Sequence, residues 1–97
     1  MPKGYWVVQV DIADPAAYET YRAANAAPLA EHGGRFLVRG GPQEVVEGAA
    51  RRRTVVVEFP TIEAARACYA SAGYQAAKAL RLPASEADFL IVEGWEG

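Results

Sequence analysis

One cysteine and one histidine are all that 97 residues contain of the two most versatile metal-binding side chains. A lone Cys68 excludes an internal disulfide framework and fits a reducing compartment. A lone His32 excludes a multi-histidine metal site within one chain, so no metal and no cofactor are expected. Charge of one sign is also missing. The formal net charge is -2, which gives no basic footprint for nucleic acid. Arg51-Arg52-Arg53 reads as a solvated hairpin tip rather than a binding patch. No stretch approaches the roughly 20 apolar residues that span a bilayer. The N-terminal residues lack the apolar run of a signal peptide. The expectation is a cytoplasmic protein with no membrane and no nucleic-acid partner. No glycine loop opens a helix, and no Cys-x-x-Cys or paired-histidine helix motif is present.

What is present is an ordinary globular mixture, 52% hydrophobic and 23% charged, enough for one domain over residues 1–97. A domain this small leaves much surface wet, and oligomerisation is a common remedy. Tyr5 to Ile12 reads as a strand. Asp14-Pro15 then starts a helix, with aspartate as cap and proline in the first turn. That helix runs to about Glu31, kinked or divided by Pro28, and stops at Gly33. Arg35 to Arg39 is a second strand, interrupted by a bulge or bend at Gly40-Gly41-Pro42 and resumed by Gln43 to Glu47. Arg53 to Phe59 is a third. Thr61 caps a helix to about Ser71. Gly73 breaks it, and Tyr74 to Arg81 continues as a second piece. Asp88 to Glu93 closes the chain as a strand. The order βαββαβ predicts an α+β, ferredoxin-like fold, an antiparallel sheet with helices on one face.

Alternation sorts the strand residues onto two faces. Trp6, Val8, Val10 and Ile12 oppose Tyr5, Val7, Gln9 and Asp11. Phe36 and Val38 oppose Arg35, Leu37 and Arg39. Val55, Val57 and Phe59 oppose Thr54, Val56 and Glu58. The first face is apolar and meets the helices. The second mixes Val7, Leu37 and Val56 with charges, unlike a simply solvated face. A second copy of the chain is the expected cover, in a symmetric homodimer.

The most distinctive stretch is His32-Gly33-Gly34-Arg35-Phe36-Leu37-Val38-Arg39-Gly40-Gly41. With Gly4-Tyr5-Trp6, Asp14-Pro15, Tyr18, Tyr21, Glu47-Gly48, Glu58-Phe59-Pro60, Tyr69, Tyr74-Gln75, Leu80-Arg81 and Val92-Glu93-Gly94, it covers nearly the whole chain. In this order the set resembles the bacterial family called domain of unknown function 1330. The resemblance implies a dimeric α+β barrel and no established reaction. Related barrels of the wider superfamily include cofactor-free oxygenases, small-lactone isomerases and haem enzymes, which is analogy of fold alone. Cys68 departs from the large aromatic typical of the family, and Ala72-Gly73 from proline and glutamate. If that aromatic lines a pocket, the pocket differs here.

Three-and-four spacing puts Tyr18, Tyr21, Asn25, Leu29 and His32 near one helix face. A buried Asn25 needs partners. Either it and the tyrosines orient a small ligand between helix and sheet, or the hydroxyls sit at a rim and Asn25 bonds to backbone. His32 is a candidate general base, a candidate haem ligand, or a helix-end residue favoured by the dipole. Candidate catalytic residues are therefore His32, Asn25 and Tyr21. Arg35 and Arg39 share a face where Asp11 and Glu58 are potential partners, and Arg39 alternatively takes a ligand carboxylate or phenolate. Trp6, Tyr69 and Tyr74 complete the candidate ligand-binding set as aromatic walls. Cys68 has no visible activating partner and reads as a small core residue. Three functions remain: a cofactor-independent enzyme acting on a small aromatic or carboxylated metabolite, a non-catalytic binding module, or a structural dimer.

Overall fold

A computed structural model describes residues 1–97. Strand β1 spans Gly4–Ile12, helix α1 Pro15–Ala24, α2 Ala26–Glu31, β2 Arg35–Arg39, β3 Arg53–Phe59, α3 Ile62–Ala70, α4 Ala72–Arg81 and β4 Ser85–Glu93, with a 3-10 turn Leu82–Ala84 before β4. The sheet order is β2-β3-β1-β4, every neighbouring pair antiparallel. The fold is ferredoxin-like α+β, with its core between one sheet face and the helices. No helix is long and apolar enough to cross a membrane.

Local chemistry explains most boundaries. The Asp14 carboxylate accepts the Ala17 amide at 3.2 Å, and Pro15 opens α1. The break after α1 falls at Asn25, three residues before Pro28. Pro28 has no amide to offer the Ala24 carbonyl, so the ladder fails one turn upstream of the ring. Gly33 ends α2 at φ 75°, and the Gly34 amide closes onto the Leu29 carbonyl at 2.8 Å, a left-handed helix stop.

Four expectations about the limits and register of the elements change. The division between α3 and α4 lies at Ser71, not Gly73. Ser71 is extended (φ -64°, ψ 149°), and its hydroxyl accepts the Tyr74 amide at 3.2 Å. A serine cap therefore sets the boundary, and Gly73 fits inside the first turn of α4. Strand β4 begins at Ser85 rather than Asp88, because Ser85 to Ala87 already pair with Ile12 to Val10. Gln43 to Glu47 do not resume a strand. The Gln43 side chain instead donates to the Arg51 carbonyl and accepts from the Thr54 hydroxyl, both at 2.7 Å.

The fourth change matters most for the site. Strand β2 is bulged at Leu37. Arg35 and Phe36 oppose Glu58 and Val57, but Val38 and Arg39 oppose Val56 and Val55. One extra residue inverts the facing of everything after it. Val38 moves to the outer face, and Arg39 moves to the helix-facing side beside Phe36, where it stays exposed on this edge strand.

The helix-facing side is then a grid of three rows. Phe36, Val57, Trp6 and Ile91 form one, Arg39, Val55, Val8 and Phe89 the next, and Arg53, Val10 and Ala87 the third. Trp6 stands at the centre, 2% exposed, donating its indole N–H to the Ala65 carbonyl at 3.0 Å. Gly4 permits α3 to sit this close, since a Cβ there would overlap the backbone of Thr61 and Ile62.

The outer face carries an apolar belt across all four strands: Val38, Val56, Val7 and Leu90. Beside it Arg35 pairs with Glu58 at 3.1 Å, and Tyr5 donates to the same carboxylate at 3.2 Å. At the other end Arg51 meets Asp88, Asp11 and Glu86 at 2.9, 3.0 and 3.4 Å. Arg51 is thus tied down by three carboxylates and is not a solvated tip residue. Asp11 pairs with Arg51, not with Arg39.

Candidate functional site

Between α1, α2, α4 and the sheet lies a cleft with a cavity volume of about 30 Å³, room for about two water molecules. Its apolar wall comes from the sheet grid, chiefly Trp6, Val8, Phe36, Val55 and Phe89. Helix α1 contributes Tyr18, Tyr21 and Arg22, and the α1–α2 joint contributes Asn25. Arg39 and Arg53 enter from β2 and β3, and Arg81 from the last turn of α4. Four arginines and no carboxylate line this one space.

The arginines are arranged differently. Arg39 is exposed and lies over the Phe36 ring, 4.3 Å from its centroid. This stacking is a direct product of the Leu37 bulge. Arg53 lies 5.9 Å over Tyr18. Gly40, at φ 71°, makes room for its guanidinium, which a Cβ would overlap. Arg22 pairs with Glu19 at 2.6 Å at the solvent edge. Arg81 is 5% exposed, with the Tyr21 and Phe89 rings 5.6 and 5.8 Å away.

No ion pair of the chain includes Arg39, Arg53 or Arg81. The Nε atoms of Arg22, Arg53 and Arg81 are buried without hydrogen-bond partners. The polar groups facing Arg81 are the Tyr74 and Tyr21 hydroxyls, which are dipoles and not counter-charges. The α4 C-terminus favours a cation by about 0.3–1 kcal/mol. For a desolvated cation each ring adds up to about 2 kcal/mol. Taking a guanidinium out of water costs several kcal/mol, of order the whole of these compensations or more. Arginine cannot escape by losing its proton. Arg81 is therefore a buried cation held by rings and phenol dipoles, with no counter-charge.

The hydroxyls of Tyr21 and Tyr74 lie 2.9 Å apart in the core. Burial raises the pKa of both Tyr74 and Tyr18, so both remain neutral phenols at physiological pH. Burial likewise pushes the Cys68 thiol up to about 11, and its sulfur faces the Pro28 carbonyl at 3.4 Å. That thiol is packing, as its sequence context indicated.

Of the residues singled out in the sequence, Trp6, Tyr18, Tyr21, Asn25 and Arg39 meet in the cleft. Asn25 is buried there, and its side chain does not cap α2. Tyr74 and Tyr69 stand behind Trp6, at ring separations of 4.8 and 6.3 Å, as the aromatic backing of the wall. His32 lies beyond the end of α2, its Nδ1 2.8 Å from the Pro28 carbonyl, and does not line the cleft. The other lining residues are the aliphatic Val8, Leu29, Val55 and Val57 and, not picked out as site candidates, Phe36, Phe89, Arg22, Arg53 and Arg81. Arg53 had a readable signal, since it lies two and four residues before the core-facing Val55 and Val57. Arg81 had one too, seven residues after Tyr74 and four after Ala77 on one helical face.

The fold has solved relatives at low identity. A protein of unknown function from Rhodopseudomonas palustris, RPA0582, superposes with a TM-score of 0.77 at 14% identity, over 99% of this chain and 85% of that one. SnoaB, a cofactor-independent oxygenase from Streptomyces nogalater, superposes with a TM-score of 0.66 at 17% identity, over 100% and 97% of the two chains. A dimeric ferredoxin-like protein of unknown function from Thermobifida fusca gives 0.57 at 12% identity, over 95% and 91%. These likenesses establish the architecture and nothing of the chemistry. No curated protein matches the sequence. Residues 3–95 match the domain of unknown function DUF1330, and the chain belongs to that family.

Proposed function

We propose that the protein binds a small aromatic or carboxylated metabolite in the helix–sheet cleft, as a homodimer joined through the outer sheet face. The observation that carries the binding reading is the composition of the cleft: flat apolar walls, four arginines and no acidic side chain. Concave sites of this kind use apolar surface for affinity and a few polar groups for orientation. The cavity is small as it stands, so a ring enters by taking the place of the exposed Arg39 guanidinium on Phe36. The dimer reading rests on the Val38–Val56–Val7–Leu90 belt, an unusual surface for a monomer, and on the dimeric Thermobifida protein of the same fold.

Catalysis in the same cleft is the second reading, favoured by the cationic wall and by the likeness to a cofactor-independent oxygenase. Preorganised cations stabilise negative charge that develops on a substrate. No histidine, carboxylate or thiol lines the cleft, so a proton lost by a substrate would leave to water rather than to a side-chain base.

Titration of the protein with salicylate, followed by 1H–15N NMR, tests the binding reading. Shifts should concentrate on the backbone amides of Val8, Phe36, Val55 and Phe89 and on the Trp6 indole. Shifts confined to the outer face, or none at millimolar ligand, would count against it.

A further inference from the structure

The cleft reading leaves open which end of a ligand goes where and why Arg81 is buried at all. Resting on that reading, we propose that Arg81 is a preformed receptor for a ligand carboxylate, kept in the free protein without a counter-charge at a cost in stability.

Three observations converge. Arg81 is nine-tenths buried with an unpartnered Nε and no carboxylate beside it. Arg53 contributes a second unpartnered buried Nε to the same space, packed over Tyr18, whose ring lies 5.3 Å from that of Tyr21. Apart from the Tyr74 and Tyr21 hydroxyls, the surface near Arg81 is apolar, from Phe89 and the Tyr21 ring. A planar carboxylate matches the guanidinium fork with two parallel hydrogen bonds. It also fits a cavity of about 30 Å³ better than a tetrahedral, doubly charged phosphate with its hydration. The charged end then sits inward, at Arg81 and Arg53, and the ring points outward, onto Phe36. The charge is taken by the buried part of the site and the ring by the exposed part, where Arg39 yields.

A site built for ligand at the expense of the fold has a distinctive signature. Removing the unpaired charge stabilises the free protein and abolishes recognition. The test compares benzoate with benzamide, its neutral isostere, on wild type, Arg81→Met and Arg81→Lys. Benzoate should bind wild type at least tenfold more tightly than benzamide. Arg81→Met should lose at least tenfold in benzoate affinity and, without ligand, melt roughly 4 °C or more above wild type, the shift of a modest gain in a domain this size. Arg81→Lys, which keeps the charge but not the fork, should bind benzoate more weakly than wild type and melt near it. Equal affinity for benzoate and benzamide overturns the carboxylate assignment and leaves the cleft reading standing. Binding of neither overturns both. An Arg81→Met protein that melts lower or fails to fold makes Arg81 a structural residue and overturns the proposal.

Discussion

Trp6→Ala should remove about 3–5 kcal/mol of stability, the usual loss for a large aromatic deleted from a core. Domains of this kind hold about 5–15 kcal/mol in all, so the variant would be close to unfolding at 37 °C. The reason lies in how many layers meet at this side chain. The Trp6 ring packs against Phe59, Tyr74 and Phe89 at centroid distances of 5.0, 4.8 and 5.0 Å. Its N–H is bonded to α3. It joins sheet, α3 and α4 at one point, and a cavity there cannot close without moving a helix. Urea unfolding followed by circular dichroism is the measurement. A lower midpoint with an unchanged slope is expected, and a loss below about 1 kcal/mol would show that the core collapses around the gap.

Leu90→Lys should convert a dimer into a monomer. Leu90 ends the apolar belt and is 57% exposed in the single chain. Its cross-strand neighbour is Val7, which continues to Val56 and Val38. Across a two-fold axis one substitution is felt twice. Each lysine would place an unpaired charge against apolar surface, which is costly without a partner. Hot-spot losses of this kind are worth at least about 2 kcal/mol each, so two of them should lower dimer affinity by about 1,000-fold. Light scattering coupled to gel filtration should give two chains for wild type and one for the variant at micromolar concentration. The far-ultraviolet circular dichroism should not change. A monomeric wild type, or a variant that stays dimeric, would place the interface elsewhere.

Much of this architecture is legible in the sequence because local signals are strong. Asp14-Pro15, Gly33 and Thr61 each sit where their chemistry predicts. Arg35 meets Glu58 as strand alternation suggests. Alternation also misled at Arg39, because a period-two reading assumes an unbroken ladder and a one-residue bulge leaves no mark in composition. That single irregularity decides whether Arg39 joins the outer face or the cleft. Arg53 was hidden by its neighbours. Reading it as part of a charge run obscured its place in the Val55–Val57–Phe59 alternation. His32 could not be placed from helix spacing alone, because the break at Asn25 and the end of α2 at Glu31 redirect the chain before the face reaches it.

The occupant of the Arg81 guanidinium is the point on which these readings meet. A crystal structure of the protein grown with benzoate shows it directly. The benzoate carboxylate should lie within hydrogen-bonding distance of Arg81, with its ring outward on Phe36 and Arg39 displaced. A protein carboxylate of either subunit paired with Arg81, and benzoate absent from the cleft, would contradict that expectation.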